Sequence, residues 1–228
     1  MTQENWQERT SLLLSEDGLK KLKNTHVLVV GLGGVGGYTV EALVRAGVGK
    51  LTLVDGDCFA VSNLNRQIFA TQKTIGKPKA LVAKQRAEEI NPNVSVNAIV
   101  QYLSAQNFNE FDFDHYDCIV DAVDDVWAKV ELACIAQSKN KKIVSCMGTG
   151  NKLLPYFKVG DLYKTTNCPL ARVMRKKLKE RGVKKLTVVY SEELPLKTTQ
   201  SKTVGSISYA PGVAGLTVAY KVIEQLLE

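Results

Sequence analysis

No stretch of the 228-residue chain approaches the roughly 20 consecutive apolar residues that a bilayer-spanning helix requires. The opening MTQENWQERT has neither the apolar core nor the cleavage site of a secretory leader, so a cytoplasmic location is expected. Paired cysteines are missing as well. Cys58, Cys118, Cys134, Cys146 and Cys168 are scattered with no C-x-x-C among them, which excludes a zinc half-site or a dithiol redox pair. Their odd number also argues against a disulfide framework. Cys118, Cys134 and Cys146 sit in apolar runs and read as small core residues. Histidine is nearly absent. His26 heads the first apolar run and His115 lies in a turn, so both read as surface or structural residues. No repeat, low-complexity tract or Pro/Gly-rich linker marks a domain boundary.

What is present is a chain with 45% hydrophobic residues, enough for one large domain or a domain with an appended lobe. The formal charge is +7, and its placement matters more than its size. Between Lys164 and Lys185 there are nine basic residues and one acid, Glu180, while the rest of the chain is nearly balanced. Such a block is either a solvated helix face or a contact for a polyanion, and the local excess favours the second.

Strand and helix signals alternate along the first 150 residues. HVLVV (26–30) is a short β-branched run bounded by glycine and reads as a buried parallel strand. GLGGVGG follows, then the helical YTVEALVRAG and a second strand, KLTLVDGD. Lys79–Ile90 reads as an amphipathic helix stopped by Asn91-Pro92. NVSVNAIV, CIVDAV and KIVSCMG supply further strands, with VWAKVELACIAQSKN as a helix between the last two. This alternation predicts a doubly wound, mostly parallel, Rossmann-like α/β sheet. Beyond Thr149 the pattern changes. LLPYFKVG and LTVVYSEE read as strands that extend the sheet antiparallel or form a small lobe, separated by a basic helix at 169–181 and followed by a closing helix. The expected organisation is a nucleotide-binding core over 1–150 and an extension over 151–228 within one compact domain. The polar, turn-rich stretch 195–208 is expected to be mobile.

The glycines at 31, 33, 34 and 36 form G-x-G-G-x-G at a strand-to-helix turn, where absent side chains let a phosphate approach backbone N–H groups. Asp55 ends the second strand 24 residues beyond Gly31, where a carboxylate accepts hydrogen bonds from ribose hydroxyls. To this point NAD and ATP fit equally well. Next come SNLNRQIF and the lysine of GKPKA, which place Asn63, Arg66, Gln67 and Lys79 close in sequence to the same turn, with Ser62 or Asn63 as a candidate helix cap. A guanidinium, an amide and an ammonium suit a triphosphate undergoing substitution, because the charge must be held and neutralised. A dehydrogenase needs no such clamp. Asp124, in DAVDD, lies just past a strand's carboxyl end and so faces the same crevice. A carboxylate beside phosphates needs a bridging cation, which implies Mg²⁺. Asp125 reads as a helix cap and Asp121 as a buried structural acid.

In this order and spacing, GLGGVG, VDGD, SNLNRQ, the GKPK lysine and DAVDD resemble the ThiF/MoeB/HesA superfamily of ubiquitin-activating-like adenylating enzymes. The resemblance implies that Asp55 binds ribose, that Arg66, Gln67 and Lys79 contact phosphates, and that Asp124 holds magnesium. It also implies a homodimer in which Arg9 reaches into the partner's site. The block DLYKTTNCPLARVMRKKLKERGVKKLTVVYSEE is similar to the tRNA threonylcarbamoyladenosine dehydratase branch (the TcdA, or CsdL, group). Some relatives have an aspartate before Pro-Leu-Ala, where this chain has Cys168.

That branch implies ATP-dependent adenylation of a threonyl carboxylate on tRNA, followed by ring closure onto a nitrogen of the same side chain. The second step is intramolecular, so positioning supplies most of the rate and no catalytic cysteine is required. At about 100° per residue, Arg172, Arg175, Lys176 and Lys179 share one helix face that can meet a tRNA backbone. A sulfur-transfer protein is left open as a further partner. Three rivals stand beside this reading: adenylation of a ubiquitin-like sulfur carrier with a thioester at Cys168, a nicotinamide oxidoreductase, and a binding scaffold without catalysis.

Overall fold

The computed structural model describes residues 5–197 and 203–228. Seven strands form one sheet: β1 (His26–Val30), β2 (Lys50–Val54), β3 (Ser95–Ile99), β4 (Cys118–Asp121), β5 (Lys142–Cys146), β6 (Lys158–Asp161) and β7 (Thr187–Tyr190). Their order across the sheet is β3-β2-β1-β4-β5-β7-β6. The strands from β3 to β7 are parallel, and only β6 runs antiparallel, on the outer side of β7. The two late strands extend the sheet with an antiparallel pair, as expected, and within that pair β7 lies parallel to β5.

The helices are α1 (Glu8–Lys23), α2 (Gly36–Ala46), α3 (Lys79–Ile90), α4 (Val126–Ser138), α5 (Pro169–Glu180) and α6 (Ala210–Leu227). Alternate residues of β1 go to opposite faces of the sheet. Val27 and Val29 join the core beneath α2, α3 and α6, whereas Leu28 and Val30 pack with Ile119, Phe113 and Leu132 on the other side. Burial on both faces is why this strand reads as an unbroken apolar run. A further cluster, with Met147, Leu162, Met174 and Leu178, seats α5 against the end of the sheet.

Local chemistry sets the helix ends. Asp125 caps α4 through a 2.8 Å hydrogen bond from the Ala128 N–H. Pro169 opens α5, where its missing N–H costs nothing. Helix α1 has no counterpart among the elements expected from sequence. Only Leu19 and Leu22 of it are buried, and Ser15 (φ 62°, ψ 168°) breaks its periodicity into two short pieces. The stretch expected to be mobile is partly pinned. Leu196 and Gly205 both bond to Asn151, and the Ser206 carbonyl accepts from Asn65; residues 198–202 lie outside the described residues.

Candidate active site

Sheet order reverses between β1 and β4, and a cavity of about 800 Å³ opens at their carboxyl ends. The glycine turn forms one wall. Gly31 has φ +90°, and a Cβ there would lie 2.6 Å from the Ala122 carbonyl oxygen. Gly33 and Gly34 line the cavity, but Gly36 does not. A Cβ on Gly36 would meet the Gly31 carbonyl at 1.8 Å, so this glycine seats α2 on the strand rather than meeting a ligand. Among the described residues no side chain caps the first turn of α2, which leaves a helix N-terminus suited to an anion.

Asp55 is present at the wall, yet both its oxygens are engaged. The N–H of Leu32 donates to one at 2.6 Å and that of Asp57 to the other at 2.8 Å. Its first task is to brace the turn. Asp57, which sequence reasoning passed over, carries the carboxylate that meets the next group. Lys79 is only 5% exposed, and its Nζ lies 2.7 Å from Asp57 Oδ2, while the Tyr102 hydroxyl donates to the other oxygen. Burial pushes the Asp57 carboxyl up, but the hydrogen bonds from Lys79 and Tyr102 outweigh it and hold it below its usual value. The second acid of VDGD was the available signal.

Ser62 and Asn63 do not cap a helix. Val61–Asn63 is a single 3₁₀ turn capped by Ala60, and Asn63 Oδ1 accepts from the Ala60 N–H at 3.0 Å. Arg66 follows, half-buried, with Nη1 donating to the Ser62 carbonyl and Asn65 Oδ1, each at 2.9 Å. Gln67 is buried, and its amide oxygen has no hydrogen-bond partner among the described residues. An orphaned acceptor on a cavity wall suits a ligand that brings a donor.

Asp124 lines the same cavity, exposed, and has no hydrogen-bonding partner among the described residues. Asp121 is wholly buried beneath it and paired with Lys129. No group of three metal-ligating side chains occurs among the described residues. One free carboxylate across a cavity from a helix N-terminus suited to an anion nevertheless fits magnesium, which takes most of its ligands from phosphates and water.

Three residues singled out in the sequence stand apart from the cavity. Arg9 is exposed on α1 and does not line it. Cys168 is 4% exposed within the α5 core cluster, where no substrate could form a thioester without local unfolding. Arg175 does not share the open face of α5. Its guanidinium donates to the Thr165 carbonyl at 3.0 Å and to the Thr165 hydroxyl, which corrects the four-residue basic face to Arg172, Lys176 and Lys179. Helix α5 starts at the cavity, where Leu170 lines the wall.

Known proteins are similar to this chain in sequence and fold. The tRNA threonylcarbamoyladenosine dehydratase of Bacillus subtilis is 36% identical over 96% of this chain and 94% of its own length. The crystal structure of the Escherichia coli tRNA N6-threonylcarbamoyladenosine dehydratase, TcdA, in complex with AMP superposes with a TM-score of 0.91. That match, at 31% identity, covers 99% of this chain and 96% of the other. The complex of the same enzyme with ATP gives a TM-score of 0.90 at 29% identity, over the same shares of the two chains. Residues 7–228 match the ThiF family along nearly their whole extent, and the chain belongs to that family.

Proposed function

We propose that this chain uses ATP to adenylate the threonyl carboxylate of threonylcarbamoyladenosine in tRNA and then cyclises the modified side chain. The observation that carries the reading is the meeting of Arg66, Gln67, Lys79 and Asp124 around one cavity at the glycine turn. The carboxylate oxygen attacks the α-phosphate and pyrophosphate leaves. A nitrogen of the same side chain then attacks the acyl carbon, AMP departs with the former carboxylate oxygen, and the nitrogen's proton passes to solvent. Arg66 and Lys79 hold the phosphates, and the Asp57 carboxylate, two residues beyond the braced Asp55, is available to ribose hydroxyls once Lys79 turns to phosphate. Asp124 would hold magnesium, which when bound offsets charge on the departing pyrophosphate.

The exposed Arg172, Lys176 and Lys179 run from the cavity edge and suit an RNA backbone. A homodimer completes the reading. Leu12 and Leu13 on α1 are 82% and 86% exposed, and Leu216 and Tyr220 are exposed on α6, which packs against α1; such apolar side chains suit a second copy that would bring Arg9 to its partner's site. A tRNA substrate accords with the cytoplasmic location expected from the sequence. The deciding assay is pyrophosphate release from ATP with added tRNA bearing threonylcarbamoyladenosine, or with a sulfur-carrier protein. Release only with the carrier protein overturns the dehydratase reading.

A further inference from the structure

The loop that carries Asp124 is anchored from beneath by a buried ion pair that the proposed steps leave unused. Asp121 ends β4 and Lys129 lies one turn into α4, and both side chains are wholly buried. Lys129 Nζ donates to the two oxygens of Asp121 at 3.1 and 3.0 Å and to the Cys146 carbonyl at 2.6 Å. The Ser145 hydroxyl also donates to Asp121. One ammonium therefore ties β4, α4 and β5 together at the carboxyl edge of the sheet. Residues 122–125, between β4 and α4, include Asp124, and Met147–Gly150, directly after Cys146, form another part of the cavity wall. The far end of the Asp124 loop is fixed by the Asp125 cap. Asp124 itself bonds to nothing among the described residues, so its place depends on how the loop is held.

A buried ion pair is a poor device for stability, because desolvation offsets most of the attraction and apolar replacements of similar size are often as stable. Its use lies in fixing geometry. We infer that Lys129 is a positioning residue: through Asp121 and Cys146 it sets Asp124 against the phosphates of ATP, without touching the nucleotide. This rests on the adenylation reading above.

The test is made in the full chain with Lys129→Met combined with Asp121→Asn, which removes both charges at similar volume. Lys129→Met alone would leave Asp121 buried and unpaired. The double variant should melt within a few degrees of wild type and bind AMP with unchanged affinity. Its kcat for tRNA-dependent pyrophosphate release should fall on the order of 10- to 100-fold. The gain in ATP affinity that magnesium brings, read by calorimetry, should shrink with it. A wild-type kcat, or equal losses of AMP and ATP affinity, would overturn the inference. Should the double variant fail to fold, Ser145→Ala decides, with a kcat about 2- to 10-fold lower at unchanged KM for tRNA expected, and no change counting against it. The adenylation reading fails separately, if wild type itself releases no pyrophosphate with tRNA. The calorimetric comparison of AMP with magnesium-ATP still judges Lys129 in that case.

Discussion

Two groups of positive charge flank one cavity, and they are held in opposite ways. On the glycine-turn side, Lys79 is buried against Asp57, and Arg66 is braced by a carbonyl and an amide oxygen. Along α5, Arg172, Lys176, Lys177 and Lys179 stand exposed, with no ion-pair partner among the described residues. Charges fixed in advance in a sheltered site act strongly on a single bound group. Free charges on a screened surface act collectively, weakly one by one and with steep salt dependence. Under the proposed function, the first group does the chemistry and the second serves as a docking surface.

The largest expected effect breaks the first group. Arg66→Ala or Lys79→Ala should lower kcat for pyrophosphate release on the order of 10²–10³-fold while leaving the thermal melt cooperative. Near-normal turnover in either variant would remove the basis for a phosphate clamp. Next comes the second group. Lys176→Glu with Lys179→Glu should weaken tRNA binding and lower its salt slope by about 0.7–0.9 unit for each phosphate no longer neutralised, with ATP affinity unchanged. Unaltered tRNA affinity would show that α5 is a solvated surface. Arg175 sharpens the contrast, since it sits on the same helix but belongs to the interior. Arg175→Ala should cost about 1–2 kcal/mol in stability by stripping donors from Thr165, and leave the salt slope of tRNA binding intact. Cys168→Ser should do less still. The residue caps α5 without a side-chain hydrogen bond, so a serine's cap bond offsets the burial of its hydroxyl, and activity on tRNA should persist. An isolable thioester at Cys168 would instead favour the sulfur-carrier rival.

The parts that were legible in the sequence share a cause: local chemistry and tertiary structure agree there. HVLVV, the glycine turn and the Asn91-Pro92 stop each specify one backbone outcome, and 79–90 is a helix with the bounds its sequence implies. Residues that rely on distant partners were harder. Arg175 reads as one more charge on a basic face because nothing in its neighbours reveals the Thr165 acceptors. Asp55 and Asp57 lie in one short motif, and only the Leu32 N–H tells which acid braces the turn. Lys129 gives no signal at all, since a lysine in a helix reads as solvated until β5 places the Cys146 carbonyl beside it. Helix α1 escaped because its apolar spacing is broken at Ser15 and its few buried side chains pack on α2 and α6, far along the chain.

The smallest effect concerns acid, and it tests whether pH acts outside both charge groups. His26 is half-buried, its Nε2 lies 2.9 Å from the Thr52 hydroxyl, and its ring meets Tyr116 edge-on at 4.8 Å. Burial, and then the Lys50 charge, lower its pKa below the ordinary 6.5, with Asp117 opposing in part. The sign follows from linkage. Below about pH 6.5 the unfolded chain takes up a proton that the folded chain resists, so stability falls as the solution is acidified, by at most about 1.4 kcal/mol per pH unit. Carboxylates act in a lower window. At Glu41, burial raises the pKa but hydrogen bonds from Arg86 and Arg45 outweigh it, so its contribution is intact above its ordinary 4.5 and fades below. Between pH 6.5 and 5, His26 should therefore dominate. His26→Gln keeps a partner for Thr52 but cannot titrate, and its denaturant midpoint should stay flat across that interval while the wild type declines. Equal slopes in the two proteins would show that acid acts through some other group, and would leave the His26 ring with its packing and its Thr52 hydrogen bond alone.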